Sequence, residues 1–190
     1  MNIEKPKDVL HSSHTSTRRR MAPEPQVRDE LPADAAAIAQ LTAAAFANAP
    51  HTSHAEQFIV DALRRAGQLT LSLVALEGED IVGHVAVSPV SVSSGARGWY
   101  GLGPISVAPD RQGQGIGATL MRRALQRLRE AGAAGCVLLG DPAYYGRFGF
   151  VVRPGLTLPG VPAEYFQAIC FSGEWATGDV KYHEAFDATA

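Results

Sequence analysis

Cysteine is scarce in this chain of 190 residues: Cys136 and Cys170 are its two thiols. So few exclude a disulfide-stapled scaffold. Both fall in predicted strands, where reduced buried thiols suit a cytoplasmic protein. An excess of either charge is missing too, with 17 Lys and Arg against 19 Asp and Glu. A net charge of −2 supplies no general attraction to nucleic acid or to an anionic membrane. No apolar run approaches the ~20 residues of a membrane span, and no signal-peptide core opens the sequence. Aromatic residues are few, at 7%, yet 46% of the chain is hydrophobic. At this length that balance predicts one globular domain with a sizeable core. No metal is expected in it.

What is present is concentrated between Leu102 and Leu120, LGPISVAPDRQGQGIGATL. Ile105 and Val107 alternate with smaller residues, which predicts a strand from Leu102 to Ala108, ended by Pro109 and Asp110. Gly113, Gly115 and Gly117 then run into an apolar-periodic helix from Gly115 to Ala131, with Ile116, Leu120, Ala124 and Leu128 on one face. A strand, a glycine-rich loop and a helix N-terminus together bind anions. The first turn leaves N–H groups unpaired and carries roughly +0.5 charge, and glycine lets the backbone approach a phosphate closely. The residues alone leave three readings. One is a tight connection whose glycines serve packing. Another is a dinucleotide fingerprint, Gly113-x-Gly115-x-x-Ala118. That reading is opposed by the residues Pro109 to Gln112, which intervene after the strand, and by the lack of a second mononucleotide-binding half.

The third reading is a resemblance. Gln112-x-x-Gly115-x-Gly117 resembles the Q/R-x-x-G-x-G/A pyrophosphate loop of the GNAT superfamily of acetyl-CoA-dependent N-acetyltransferases. Further on, Ala143 to Phe150, AYYGRFGF, resembles the second signature of that superfamily, with Tyr145 preceding the Gly149-Phe150 pair. The resemblance covers roughly Val27 to Phe171.

Around these motifs the chain reads in order. Residues 1–25 carry Arg18, Arg19 and Arg20 and little apolar periodicity, which predicts a disordered tail. The domain is expected over 26–175 and a C-terminal extension, packed on it or trailing, over 176–190. Gln26 to Asp29 is a short strand and an Ala-rich helix runs to Phe46. Ser53-x-x-Glu56 reads as a capping box for a second helix. Strands follow at Thr70 to Leu76 and Ile81 to Val92. After the glycine-loop helix come a strand at Cys136 to Gly140, parallel to the one before the loop, and a short helix capped by Asp141 with Pro142 at its first position. Leu156 to Leu158 and Tyr165 to Phe171 are the last predicted strands. This is an α+β layout. The resemblance implies a GNAT-like fold: a central, mostly antiparallel sheet with two splayed parallel strands, flanked by helices.

It also implies acetyl-CoA as co-substrate and an amine as acceptor. Ile105, Ser106 and Val107 would give main-chain contacts to pantetheine. Gln112, Gly113, Gln114, Gly115, Ile116, Gly117 and Ala118 would hold the pyrophosphate. Tyr145, also at the cofactor, would be the general acid for the leaving thiolate, and the Val107 N–H is the candidate oxyanion donor. Asn48, His51 and His54 occupy the inter-helix loop that borders the acceptor in this superfamily. Many relatives carry a Glu on the phosphate-loop strand, but Trp99 to Pro109 holds no carboxylate. His84 is the best single candidate for the base, set against a plain core histidine, and a water-relayed base is the expectation. A lysine ammonium costs about 4.6 kcal/mol to neutralise at pH 7 and an α-amine about 1 kcal/mol, which favours an acceptor of low pKa or one entering neutral. A non-catalytic acyl-CoA-binding sensor is the alternative from another class. No nucleic-acid or membrane partner is expected, and monomer and homodimer both stay open.

Overall fold

The computed structural model describes residues 25–48 and 54–189. The expected N-terminal tail up to residue 24, His51, and Ser53 as a cap lie outside the described residues. The chain opens with β1 (Gln26–Asp29), α1 (Ala35–Phe46), α2 (Glu56–Arg65), β2 (Leu71–Glu77) and β3 (Asp80–Pro89). It continues with β4 (Ser91–Val92), β5 (Trp99–Val107), α3 (Ile116–Glu130), β6 (Gly135–Leu139) and α4 (Pro142–Tyr145). β7 (Leu156–Thr157), β8 (Phe166–Cys170) and β9 (Gly178–Lys181) complete it. The main sheet has the order β1-β2-β3-β5-β6-β8. All its pairs are antiparallel except β5 with β6. The expected parallel crossover through the glycine-loop helix is therefore present.

Helices cover both faces of the sheet. The apolar stripe of α3, including Leu120, Met121 and Leu128, packs with Leu73, Val85 and Cys136. On the other face Ile38 of α1 and Val60 of α2 meet Val74 and Ala86. Gly83 lets α3 come close, since a Cβ there would lie 2.9 Å from Ile116 Cγ2 and 2.9 Å from Leu120 Cδ1. The position of the α3 N-terminus thus depends on a missing side chain in β3. Among the described residues no helix is long and apolar enough to cross a membrane.

Two expectations are corrected. The strand expected from Ile81 to Val92 stops at Pro89, with one further bond to β5 from Val90 N–H to Trp99 O at 3.1 Å. The chain then turns away, and β4 joins a second sheet of order β4-β9-β7. Leu156 and Thr157 belong there, parallel to Gly178 and Asp179, and not in the main sheet. The start of the second helix differs as well. His54 sits at φ 57, a left-handed conformation outside the helical region. The helix therefore starts later, with Ala55 as N-cap and Glu56 in its first turn.

Gly83→Ala is expected to lower stability by about 1–3 kcal/mol through overpacking against α3. Urea unfolding with an unchanged m-value checks it, and a midpoint equal to wild type would contradict it.

Candidate active site

β5 and β6 pair over three positions, Trp99 with Gly135, Tyr100 with Cys136 and Gly101 with Val137. There they part. β5 next meets Gly103, at φ 145, and then Pro104, which has no N–H to donate. Its ladder to β3 shifts by a bulge at the same level, between Val85 and Val87. β6 meanwhile continues to Leu139, held by β8. A gap opens between the two strands.

The register decides which groups face that gap. Ala108 N–H donates to Val82 O at 2.9 Å. In the alternation of an antiparallel ladder the next hydrogen-bonded pair is His84 with Ser106. Ile105 and Val107 therefore turn their N–H and C=O groups away from β3, toward the gap. Val107 O accepts from Gln112 Nε2 at 3.2 Å, so the glutamine ties the loop back to the strand. Ser106 lines the same gap but is oriented differently from its neighbours. Its main chain belongs to the β3 ladder, and its hydroxyl, in a residue 2% exposed, meets Thr42 Oγ1 at 3.2 Å.

At the end of β5 the loop turns into α3. Gly113 and Gly115 have φ values of 74° and 90°, where a Cβ would be strained. Thr119 N–H donates to Gly115 O at 3.0 Å as the helix begins. The amides of Gly115 to Ala118 come before that bond and carry the positive end of the helix dipole. A cavity of about 450 Å³ is lined by Ile105 to Val107, Gln112, Gly113 and Gly115 to Ala118, with Tyr144 and Tyr145 opposite. Gln114 is not part of that wall; its Nε2 donates to Asp110 O at 3.2 Å.

α4 delivers the tyrosines. Asp141 Oδ1 accepts from Ala143 N–H at 2.9 Å and Pro142 occupies the first turn, as the sequence predicts. The Tyr145 ring lies flat on Gly140, where a Cβ would stand 2.1 Å from its Cε2. Edge-on contacts to Tyr144 at 4.9 Å and Phe150 at 6.4 Å fix the ring further. Burial first, then Tyr144 and Asp141, push the Tyr145 hydroxyl up to about 12. Its neighbour points elsewhere: the Tyr144 hydroxyl is 3.3 Å from where a Gly117 Cβ would be. The Arg147 guanidinium stacks 3.8 Å over the Tyr144 ring, beside the loop amides.

A second and larger cavity, of about 1110 Å³, continues from the first. Phe46, Ile105 and Tyr145 belong to both walls. Its other walls come from α2, the end of β6 and the C-terminal stretch through β9 to Asp187. Glu56 lines it, which the reading of that residue as a cap had hidden. So do Leu139 and Phe186, for which no local motif gives a signal. Gly140 was likewise unreadable, because its role rests on a ring five positions later in the chain.

Three expected residues lie elsewhere. Asn48 and His54 are exposed and line neither cavity, and His51 is outside the described residues. His84 is 0% exposed and packs on the α1 and α2 face. Its Nε2 lies 2.8 Å from Ser72 Oγ, which donates to Glu30, itself paired with Arg64. It lines neither cavity, so it is a core histidine and not a base at the site. Burial holds it down to about 4, with Arg64 also lowering it and Glu30 opposing. An unfolded imidazole binds a proton near 6.5, so between 6.5 and 4 the unfolded chain takes up a proton that the native one refuses. Stability contributed by neutral His84 is therefore complete above about pH 6.5 and is lost as pH falls toward 4, by at most about 1.4 kcal/mol per pH unit. Unfolding free energies of wild type and His84→Gln across that window check this, the variant being expected to show the shallower slope.

Comparison with known proteins agrees with this geometry. Residues 35–150 match the family model described as the acetyltransferase (GNAT) family. The N-acetyltransferase YhbS of Escherichia coli K12 is 38% identical over 169 residues, which is 85% of this chain and 98% of the relative. A crystal structure of a GNAT family acetyltransferase from Brucella melitensis, in complex with acetyl-CoA, is 51% identical with a TM-score of 0.77, covering 85% of this chain and 97% of the other. The crystal structure of Escherichia coli YhbS with CoA gives 37% identity and a TM-score of 0.80, over 89% and 95% of the two chains. The family model spans most of the described domain and the Escherichia coli relative is matched over nearly its whole length, so the chain belongs to the GNAT family of acetyltransferases.

Proposed function

We propose that this chain transfers the acetyl group of acetyl-CoA to a primary amine by direct attack. One observation carries the reading. Ile105 and Tyr145 stand in the walls of both cavities, so an acyl chain laid along the free edge of β5 would end where the two meet. The diphosphate lies on the amides between Gly113 and Ala118. Pantetheine pairs with the main chain of Ile105 and Val107, as an added strand would. The Brucella and Escherichia structures, crystallised with acetyl-CoA and CoA, support the same cofactor here.

In the reaction the neutral amine nitrogen attacks the thioester carbon. An N–C bond forms, the oxyanion is held by a main-chain N–H on the free edge of β5, and the C–S bond breaks as the intermediate collapses. The acceptor ammonium gives up two protons in all, one before attack and one from the intermediate. The thiolate takes one proton from Tyr145, which is restored through water, and one proton leaves to solvent. Burial keeps the Tyr145 hydroxyl protonated, near 12. The same desolvation raises the thiol shed beside it, which offsets the rise of its proton donor. β5 carries no carboxylate to act as base. His183, in the larger cavity, accepts from Ala185 N–H through Nδ1 at 3.1 Å, which leaves the proton on Nε2 and makes it a donor. A base relayed through water fits both facts.

Tyr145→Phe is expected to lower kcat by about 10²–10⁴-fold while leaving acetyl-CoA affinity unchanged. Gly140→Ala, which displaces the same ring, is expected to lower kcat in the same direction. Thiol release and calorimetry read both. Full turnover by Tyr145→Phe would remove the general acid, and tight acetyl-CoA binding with no turnover of any amine would favour an acyl-CoA sensor. With a lysine-type acceptor the rate is expected to climb about tenfold per pH unit from pH 6 to 9, as the amine deprotonates. A flat profile there would contradict a water-relayed base.

A further inference from the structure

The larger cavity has a wall that suits one kind of acceptor. At about 1110 Å³ it exceeds the roughly 300–1,000 Å³ of sites for drug-sized ligands. Along β6 every residue is buried until Leu139, which is 44% exposed and lines this cavity. Ile59 of α2, Leu102 of β5, Leu158 and Phe186 add further apolar surface from four separate parts of the chain. Charge around the cavity is lopsided, with Glu56, Asp179 and Asp187 against Lys181. The Asp179 carboxylate accepts from Thr157 Oγ1 at 2.5 Å and is exposed, so it sits on the rim.

We infer that the acceptor is an amphiphilic primary amine: an alkyl or arylalkyl body with a single terminal amino group. The inference rests on the larger cavity being the acceptor side of the proposed transfer. Carboxylates around the cavity draw an ammonium ion in. Apolar walls then remove its hydration, which disfavours the charged form and yields the neutral nucleophile. A polyamine would carry further charges into the same apolar space, where they find too few partners. A short polar amine would leave Leu139, Leu158 and Phe186 uncovered.

The test is calorimetry on the CoA-loaded full chain with butyl-, hexyl-, octyl- and decylamine, below their micelle concentrations, and with spermidine. Affinity is expected to tighten about fourfold for each methylene that becomes buried, with spermidine weaker than octylamine. Leu139→Ser changes a side chain that is 44% exposed at the end of β6, outside the buried core clusters, so the fold is retained. It is expected to weaken decylamine about tenfold and butylamine much less. Affinity independent of chain length, or spermidine binding tighter than octylamine, overturns the inference. Thiol release with acetyl-CoA separates the two claims. Alkylamines that bind with this slope but are not acetylated uphold the cavity assignment and sink the transfer. Acetylated spermidine with no bound alkylamine does the reverse.

Discussion

Two parallel strands that begin side by side and then separate set the rest of this molecule. β5 and β6 share three paired positions, and the pairing ends where Gly103 and Pro104 enter β5. A buried strand edge normally finds a partner, because unpaired amides and carbonyls away from water are costly. Here the groups of Ile105 and Val107 are turned to a gap by the β3 register. That edge has the hydrogen-bonding pattern an extended, amide-bearing molecule needs. The glycine loop lies at the far end of the same strand, so the free edge of β5 and the loop amides form one continuous line of backbone.

The separation also places the chemistry. Gly140 follows β6 directly, and its lack of a side chain lets Tyr145 lie flat against the backbone at the edge of the gap. The hydroxyl is thereby held in a desolvated position, which keeps its proton through neutral pH. Tyr144, one residue earlier, is turned toward Gly117 and the helix start instead. Adjacent tyrosines on one short helix thus face different parts of the cavity. On the other side the C-terminal stretch closes the larger cavity: β9 joins the second sheet and the turn at Glu184–Asp187 packs against α2.

What could be read from the sequence was local. The glycine loop, the Asp141-Pro142 cap and the parallel crossover each depend on residues close together in the chain, and each is present. Properties that depend on distant partners were not legible. His84 reads as a base on a strand, but Ser72, Glu30 and Arg64 enclose it in the core. The Ser53-x-x-Glu56 pattern reads as a cap, but a left-handed residue at His54 moves the helix start and leaves Glu56 on a cavity wall. Alternation through Val92 reads as one strand, yet Pro89 diverts the chain to another sheet. The larger cavity is assembled from α2, β6 and the C-terminal stretch, which share no spacing that a linear pattern could reveal.

The most direct measurement is a crystal structure of the chain with an unreactive acetyl-CoA analogue. The account predicts diphosphate oxygens about 2.7–3.2 Å from the amides between Gly113 and Ala118. It also predicts the pantetheine amides paired with the main chain of Ile105 and Val107, and the acyl oxygen on a β5 main-chain N–H beside Tyr145. A cofactor bound elsewhere, with β5 and β6 closed on each other or the loop amides taken by protein carbonyls, would contradict it.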